Sequence, residues 1–252
     1  MPASDTFSII TPSLNSVDVI TDCINSIAQL EVGVEHLVID GESTDGTREL
    51  VEKMNGAVRV VEAPPEGIYP AINTGITHAN GEVIGILNAD DFYANGDVLR
   101  LVSSVFEDPT IDACYGDLCY VDKSDPGRVV RFWRAGQLGP NGMLHGWMPP
   151  HPTFFVRRRV YEDYGLYRTD LGTSADYELM LRFLVKHQVK TVYIPEILVH
   201  MRTGGASNKS WKARIEANRM DRKAWQVNAL RPYPWTMIAK PLRKIGQWWS
   251  RP

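Results

Sequence analysis

Between residues 6 and 88 four short β-rich runs alternate with three segments of helical period, and this alternation restricts the chain more than any other feature. The runs are 6–12 (TFSIITP), 34–40 (VEHLVID), 57–63 (AVRVVEA) and 82–88 (EVIGILN). Between the first two, Val19, Ile20, Cys23, Ile24, Ile27 and Leu30 recur at helical spacing, with Asn15 or Ser16 as the cap. A second helix is expected from a cap at Thr44 or Asp45 to Met54. A third is expected over 69–81, with Pro70 tolerated in its first turn and Gly81 at its end. Strands joined through helices point to a parallel, doubly wound α/β sheet. In such sheets ligands sit beyond the carboxyl ends of the strands. Here three strands end in groups able to hold one: Thr11-Pro12, Asp40-Gly41-Glu42-Ser43 and Asn88-Ala89-Asp90-Asp91.

The second half is less regular. Residues 111–122 and 129–134 read as a hairpin, and a Gly- and Pro-rich loop follows at 135–152. Ser174 caps a helix over 174–188 with acids in its first turn and Leu179, Met180, Phe183 and Leu184 on one side. Residues 190–202 are extended, and 203–210 (TGGASNKS) form a flexible polar loop whose glycines suit a closing lid.

Charge is unevenly placed. The net charge of −3 argues against nucleic acid as a partner of the whole chain. Residues 211–252 hold ten Lys or Arg against Glu216 and Asp221, a balance of +8, which leaves −11 on residues 1–210. Within that segment Trp235, Ile238, Leu242, Ile245 and Trp249 recur at helical spacing with Lys240, Arg243, Lys244 and Arg251 between them, the pattern of an interfacial helix. Pro241 is expected to divide it or to start its second piece. The division expected is therefore a catalytic body over 1–210 and a basic helical extension over 211–252 that meets a membrane surface through 232–252. Three cysteines, Cys23, Cys114 and Cys119, fit neither a disulfide framework nor a zinc spacing and suggest a reducing compartment. No signal-peptide pattern opens the chain, and no apolar run is long enough to span a bilayer.

The strand-end acids have a specific chemistry open to them. Asp90, two residues after Asn88 in a variant of an Asp-x-Asp arrangement, is suited to Mn²⁺ or Mg²⁺, hard ions that share oxygen ligands with substrate phosphates. Such an ion neutralises charge on a diphosphate leaving group. Asp91 either braces the turn or joins the metal. Asp40 stands where a planar base can lie across the first two strands.

Taken together, IDGESTDGT (39–47), GIYPAINTGITHANGEVIGILNADD (67–91) and SADYELMLR (174–182) resemble an inverting glycosyltransferase of family two with the GT-A fold, over roughly residues 6 to 210. The similarity extends to bacterial members that build surface and capsular polysaccharides. It implies that Thr11, Pro12 and Asn15 lie against the nucleotide of a nucleotide-sugar, that Asp40 accepts from the base imide N–H, and that Ser43 lies nearby. It also implies that Asn88 and Asp90 form the Asp-x-Asp element with Asp90 on the metal, and that Asp176 is the general base. The acceptor implied is a glycan or lipid-linked saccharide, and the location is the inner, cytoplasmic face of a membrane. Three positions depart from the usual pattern: Asn88 replaces the first Asp, Pro70 stands where relatives carry Asp, and Ala175 precedes Asp176 in place of Glu.

Other expectations come from single residues. His151 contacts donor or acceptor. His200 is a further metal or phosphate contact, Arg202 and Lys209 meet the diphosphate, and Trp147 offers a platform for an acceptor sugar, whereas Trp133 packs in the core. Two rival classes remain: a sugar-phosphate nucleotidyltransferase, which lacks its Gly-rich basic loop in TPSLNSVD (11–18), and a non-catalytic scaffold that has kept the fold.

Overall fold

The computed structural model describes residues 7–30, 32–54, 58–204, 211–243 and 247, with backbone only for 211–215. Gly205 and Lys209 of the expected lid, and Lys244, Ile245, Trp249 and Arg251 of the tail, lie outside the described residues.

The strands and helices of the first half form as the alternation predicts: β1 (Phe7–Ser13), α1 (Ile20–Ala28), β2 (Val34–Asp40), α2 (Thr47–Lys53), β3 (Val58–Glu62), α3 (Ile68–His78) and β4 (Val83–Ile86). After the Asn88–Asp91 turn come β5 (Phe92–Tyr93), α4 (Val98–Phe106), β6 (Ala113–Val121) and β7 (Val129–Trp133). Next are β8 (Phe155–Arg157), α5 (Arg158–Tyr164), α6 (Ala175–Met180, continued to Lys186 by a wider π turn) and β9 (Thr191–Arg202). The chain closes with α7 (Trp211–Val227) and α8 (Thr236–Arg243).

One sheet runs through the molecule in the order β3-β2-β1-β4-β8-β6-β9-β5, with β7 on β6. The β3-β2-β1-β4 side is parallel. Short β8 pairs antiparallel with both β4 and β6 and so carries the sheet into its irregular half, where β9 runs parallel to β6. The β6–β7 hairpin forms as the sequence predicts. Gly85 lets β4 accept the ring of Phe155, since a Cβ there would lie 2.6 Å from Phe155 Cε1.

The basic extension is helical, and it packs into the same core as the body. Ala224 and Trp225 of α7 are buried, and Trp225 Nε1 donates to the Tyr177 hydroxyl at 3.0 Å. Asn228 Nδ2 donates to Glu178, whose carboxylate also holds the half-turned Arg182. Pro241, expected to divide the tail, lies inside the last turn of α8 without ending it.

β1 is buried along its whole length because helices cover both faces of the parallel sheet. Thr11 therefore faces the core: its Oγ1 lies 2.9 Å from His36 Nε2 and 3.7 Å from Cys23 Sγ. This corrects its expected side-chain contact with nucleotide. Burial pushes the His36 imidazole down to about 3. The unfolded chain takes up that proton near pH 6.5 and the folded chain does not, so stability falls as pH drops below that point. Between pH 7 and pH 5 the loss expected from His36 is about 2 kcal/mol. Urea titrations of wild type and His36→Gln at both pH values check this: the substituted protein should lose less on acidification, and an equal loss would assign the acid sensitivity elsewhere.

Candidate active site

The loops after β1 and β2 are stapled together. Asn15, at φ +50°, donates its N–H to Ser43 Oγ at 2.9 Å and accepts from the Thr44 N–H through Oδ1 at 2.9 Å. Asn15 is thus a loop brace, not the cap of α1. Farther along, the Ser16 and Val17 N–H groups donate to Thr47 Oγ1 and Asp45 Oδ2. Asp40, buried at the end of β2, accepts from the Ser43 N–H through Oδ2 at 3.1 Å, and its carbonyl accepts from the Ala63 N–H. The result is a fixed rim at the carboxyl ends of the strands.

Behind that rim three buried oxygens have no hydrogen-bond partner among the described residues: Ser13 Oγ, Asp40 Oδ1 and Asn88 Oδ1. They terminate three neighbouring elements, β1, β2 and the turn after β4. A buried acceptor left unpaired costs about 1–3 kcal/mol, and native structures rarely tolerate one without a reason. Three together mark a place prepared for a ligand rich in donors or carrying a cation.

The two carboxylates of the Asn88–Asp91 turn differ. Asp91 is fully buried; its Oδ2 accepts from Asn88 Nδ2 at 3.0 Å and its Oδ1 from the Arg202 N–H at 3.3 Å. Burial, then the neighbouring Asp90 charge, push the Asp91 carboxyl well up. Asp90 is half-exposed at the mouth. Asp91, expected as a possible metal ligand, is a brace within the turn.

Arg202 has a different task from the one expected. Only 5 % of it is exposed. Its Nη1 donates to the Asp90 carbonyl at 2.8 Å, its Nη2 pairs with the Asp22 carboxylate, and its guanidinium lies 5.1 Å from the Phe92 ring centroid. It holds the turn from beneath and is not placed to receive a diphosphate. His200, two residues earlier on β9, meets the Phe92 ring edge-on at 5.2 Å, and burial lowers its imidazole pKa. Among the described residues no group of three or more His, Cys, Asp or Glu side chains is gathered as a metal site.

A second cluster forms around Asp176 in the first turn of α6. Its Oδ2 lies 3.7 Å from His151 Nδ1, and its Oδ1 accepts from the Tyr177 N–H at 2.7 Å. Tyr69, which opens α3, turns its ring into the same cluster: its hydroxyl pKa is raised by burial first and then by the Asp176 charge. The ring stacks on Tyr167 at 5.6 Å. Tyr69 follows the carboxyl end of β3, and His151 precedes β8, which runs antiparallel to β4. Both therefore lie at the end of the sheet where β1, β2 and β4 finish. Burial lowers the His151 pKa against the opposing pull of Asp176, so at neutral pH the imidazole is uncharged and leaves the Asp176 carboxylate unneutralised.

Trp147 does not offer a sugar platform. It is buried, its Nε1 donates to the Ala135 carbonyl at 2.8 Å, and Tyr115 meets its ring at 5.4 Å. Trp133 is partly buried and packs against the core cluster that holds Leu118 and Val199.

Arg202→Ala is expected to lower the stability of the ligand-free protein by about 1–3 kcal/mol, because the Asp90 carbonyl and Asp91 lose their support. Urea unfolding measures this. Unchanged stability with weakened nucleotide binding would return Arg202 to the diphosphate.

Comparison with known proteins is consistent in direction. The family model described as "Glycosyl transferase family 2" matches residues 8–165. A "PGL/p-HBAD biosynthesis glycosyltransferase" of Mycobacterium tuberculosis is 28 % identical over 213 residues, spanning 82 % of this chain and 80 % of that protein. Among solved structures, S. aureus TarS 1–349 in complex with UDP superposes with a TM-score of 0.67 at 19 % identity, covering 96 % of this chain and 72 % of TarS 1–349. The mannosyltransferase PcManGT from Pyrobaculum calidifontis, in complex with GDP-Man and Mn²⁺, gives 0.66 at 20 % identity, covering 95 % and 70 %. The fold is that of the GT-A glycosyltransferases.

Proposed function

The chain belongs to glycosyl transferase family 2 and is a glycosyltransferase, and from that premise we propose that it moves a sugar from a UDP-sugar to a glycan or lipid-linked acceptor in polysaccharide biosynthesis, with inversion at the anomeric carbon. The observation that carries this reading is the row of three unpartnered buried oxygens at the ends of β1, β2 and β4. Asp40 Oδ1 is an acceptor waiting for one N–H, which the imide of a pyrimidine base supplies. Ser13 Oγ and the backbone of Pro12 line the same rim beside the Asn15–Ser43 staple. A UDP-bound and a GDP-Man-bound neighbour support a nucleotide-sugar donor.

A divalent Mn²⁺ or Mg²⁺ fits the turn after β4. Asp90 keeps a half-exposed carboxylate at the mouth, Asn88 Oδ1 has no partner among the described residues, and the Asp91 carboxyl is pushed up by burial first and then by repulsion from Asp90. A cation relieves that repulsion. Two protein oxygens are a partial set, as expected for an ion that takes its remaining ligands from diphosphate and water. In this reading Asp90 and Asn88 hold the metal, Asp91 fixes Asn88, and His200 stands against Phe92 behind them. When bound, the ion supplies positive charge to the departing diphosphate.

The chain's own residues do the rest. Asp176 takes the proton of the acceptor hydroxyl. The freed oxygen forms its bond to the anomeric carbon on the face opposite the phosphate. The carbon–oxygen bond to the diphosphate breaks, and its electron pair leaves on the diphosphate. The Tyr177 N–H orients Asp176, neutral His151 lies 3.7 Å away without neutralising it, and Tyr69 closes the cluster from α3. The location we propose is the cytoplasmic side of a membrane.

Calorimetric titration with UDP, GDP and dTDP, each with and without Mn²⁺, tests the donor site. UDP is expected to bind wild type with metal and to lose that dependence in Asp90→Ala; metal-independent binding of equal strength in both would remove the metal from the account. Asp176→Asn is expected to keep donor binding and lose transfer by about a hundred- to ten-thousand-fold. Retained turnover would remove Asp176 as the base and favour a scaffold whose nucleotide site serves another end.

A further inference from the structure

The basic C-terminal helix carries a surface that sugar transfer does not use. One face of α8 is bolted to the body. Thr236 is fully buried and donates through Oγ1 to the Leu144 carbonyl. Lys240 Nζ reaches Asp221 at 2.6 Å and lies 3.5 Å from the centroid of the Tyr177 ring. Arg243 Nε donates to the His145 carbonyl at 3.0 Å. The backbones approach so closely that a Cβ on Gly146 would sit 2.4 Å from the Lys240 nitrogen, and Gly146 has φ +76°. Only glycine fits both conditions.

The opposite face is apolar and open. Ile238 and Leu242, four residues apart, are 64 % and 57 % exposed; Trp235, just before α8, is 50 % exposed although its indole Nε1 donates to His145 Nδ1 at 3.3 Å. The other exposed large hydrophobics among the described residues, Leu14, Ile68 and Val129, sit on three separate elements. Single exposed apolar side chains need no explanation, whereas two on one face of one helix with a half-exposed indole beside them mark a contact. Arg231, four residues before Trp235, is exposed.

We propose that α8 is an interfacial helix that lays Ile238 and Leu242, with the exposed part of Trp235, into an anionic lipid bilayer, with Arg231 at the headgroup phosphates. Charge complementarity selects this occupant. The segment 211–252 carries +8 and residues 1–210 carry −11. An anionic surface attracts the one and repels the other, which favours approach with the tail toward it. Apolar residues with an indole at one end and basic residues nearby are the pattern of a helix at the headgroup boundary. Because Lys240 touches Tyr177, the residue after the proposed base, the docked bilayer has a fixed position relative to the active site. A lipid-linked acceptor would then reach Asp176 from the surface that holds the enzyme. That last consequence rests on the transfer reading; docking itself does not.

The test is sedimentation of the full chain, without substrates, on vesicles of phosphatidylcholine alone and of equimolar phosphatidylglycerol and phosphatidylcholine. Wild type should partition onto the anionic vesicles at least about tenfold more strongly than onto the zwitterionic ones. Combined Trp235→Ser, Ile238→Ser and Leu242→Ser should weaken that partition by at least about tenfold while circular dichroism and UDP titration stay unchanged. Ile238→Lys adds charge and removes apolar surface, and it should also weaken binding. Tighter binding by Ile238→Lys would make the contact purely electrostatic and overturn insertion of the apolar face. No sedimentation of wild type, or equal sedimentation of the triple variant, would overturn the proposal. So would a wild-type dimer in light scattering that the triple variant abolishes while vesicles bind neither, because the apolar face would then serve a second copy. Asp90→Ala should sediment like wild type, which separates this outcome from any failure of the transfer reading.

Discussion

A guanidinium beneath the Asp90–Asp91 turn joins the two halves of the sheet. Arg202 ends β9, yet it holds the carbonyl of Asp90 and the side chain of Asp22, while its own N–H reaches Asp91. The β5–β9 pairing carries Phe92 and His200 into the same contact. Without this anchor the turn after β4 would be a surface loop with two solvated carboxylates. With it, one carboxylate is buried as a brace and the other is left at the mouth. The question of why a core strand should end in two adjacent acids has a mechanical answer for Asp91 and a chemical one for Asp90.

The same division runs through the site. Polar groups that look interchangeable in the sequence are sorted by burial into those spent on geometry and those kept for a ligand. Thr11, Asn15, Asp91 and Arg202 are engaged with protein partners. Ser13, Asp40 and Asn88 each keep one buried oxygen without a partner among the described residues. Around Asp176, burial keeps His151 neutral and Tyr69 protonated, so the carboxylate faces two uncharged neighbours.

The parallel half was legible because its apolar runs and helical periods are regular, and the strand ends pointed to Asp40, Asn88 and Asp90 as candidates. Arg202 was not legible. A basic residue beside Thr-Gly-Gly suggests a phosphate contact until β9 pairs with β5 and buries it. Thr11 misled for a different reason: in a strand covered on both faces, alternation says nothing about which side meets a ligand. Ser13 was passed over because the run seemed to stop at Pro12, although β1 continues one residue further. Tyr69 lies more than a hundred residues from Asp176, and no local pattern links α3 to α6. In the tail, helical period revealed an amphipathic helix but not which face was already taken by Leu144, His145 and Tyr177.

The central claim is that the unpaired oxygen of Asp40 receives the imide N–H of a pyrimidine nucleotide at the end of β2. Binding of UDP and of its N3-methyl analogue to wild type and Asp40→Ala tests that contact directly. Wild type should bind the methylated nucleotide at least about tenfold more weakly, since the acceptor would face a methyl group, and Asp40→Ala should bind the two alike. Equal affinity of wild type for both nucleotides would contradict the claim and detach the buried carboxylate from base recognition.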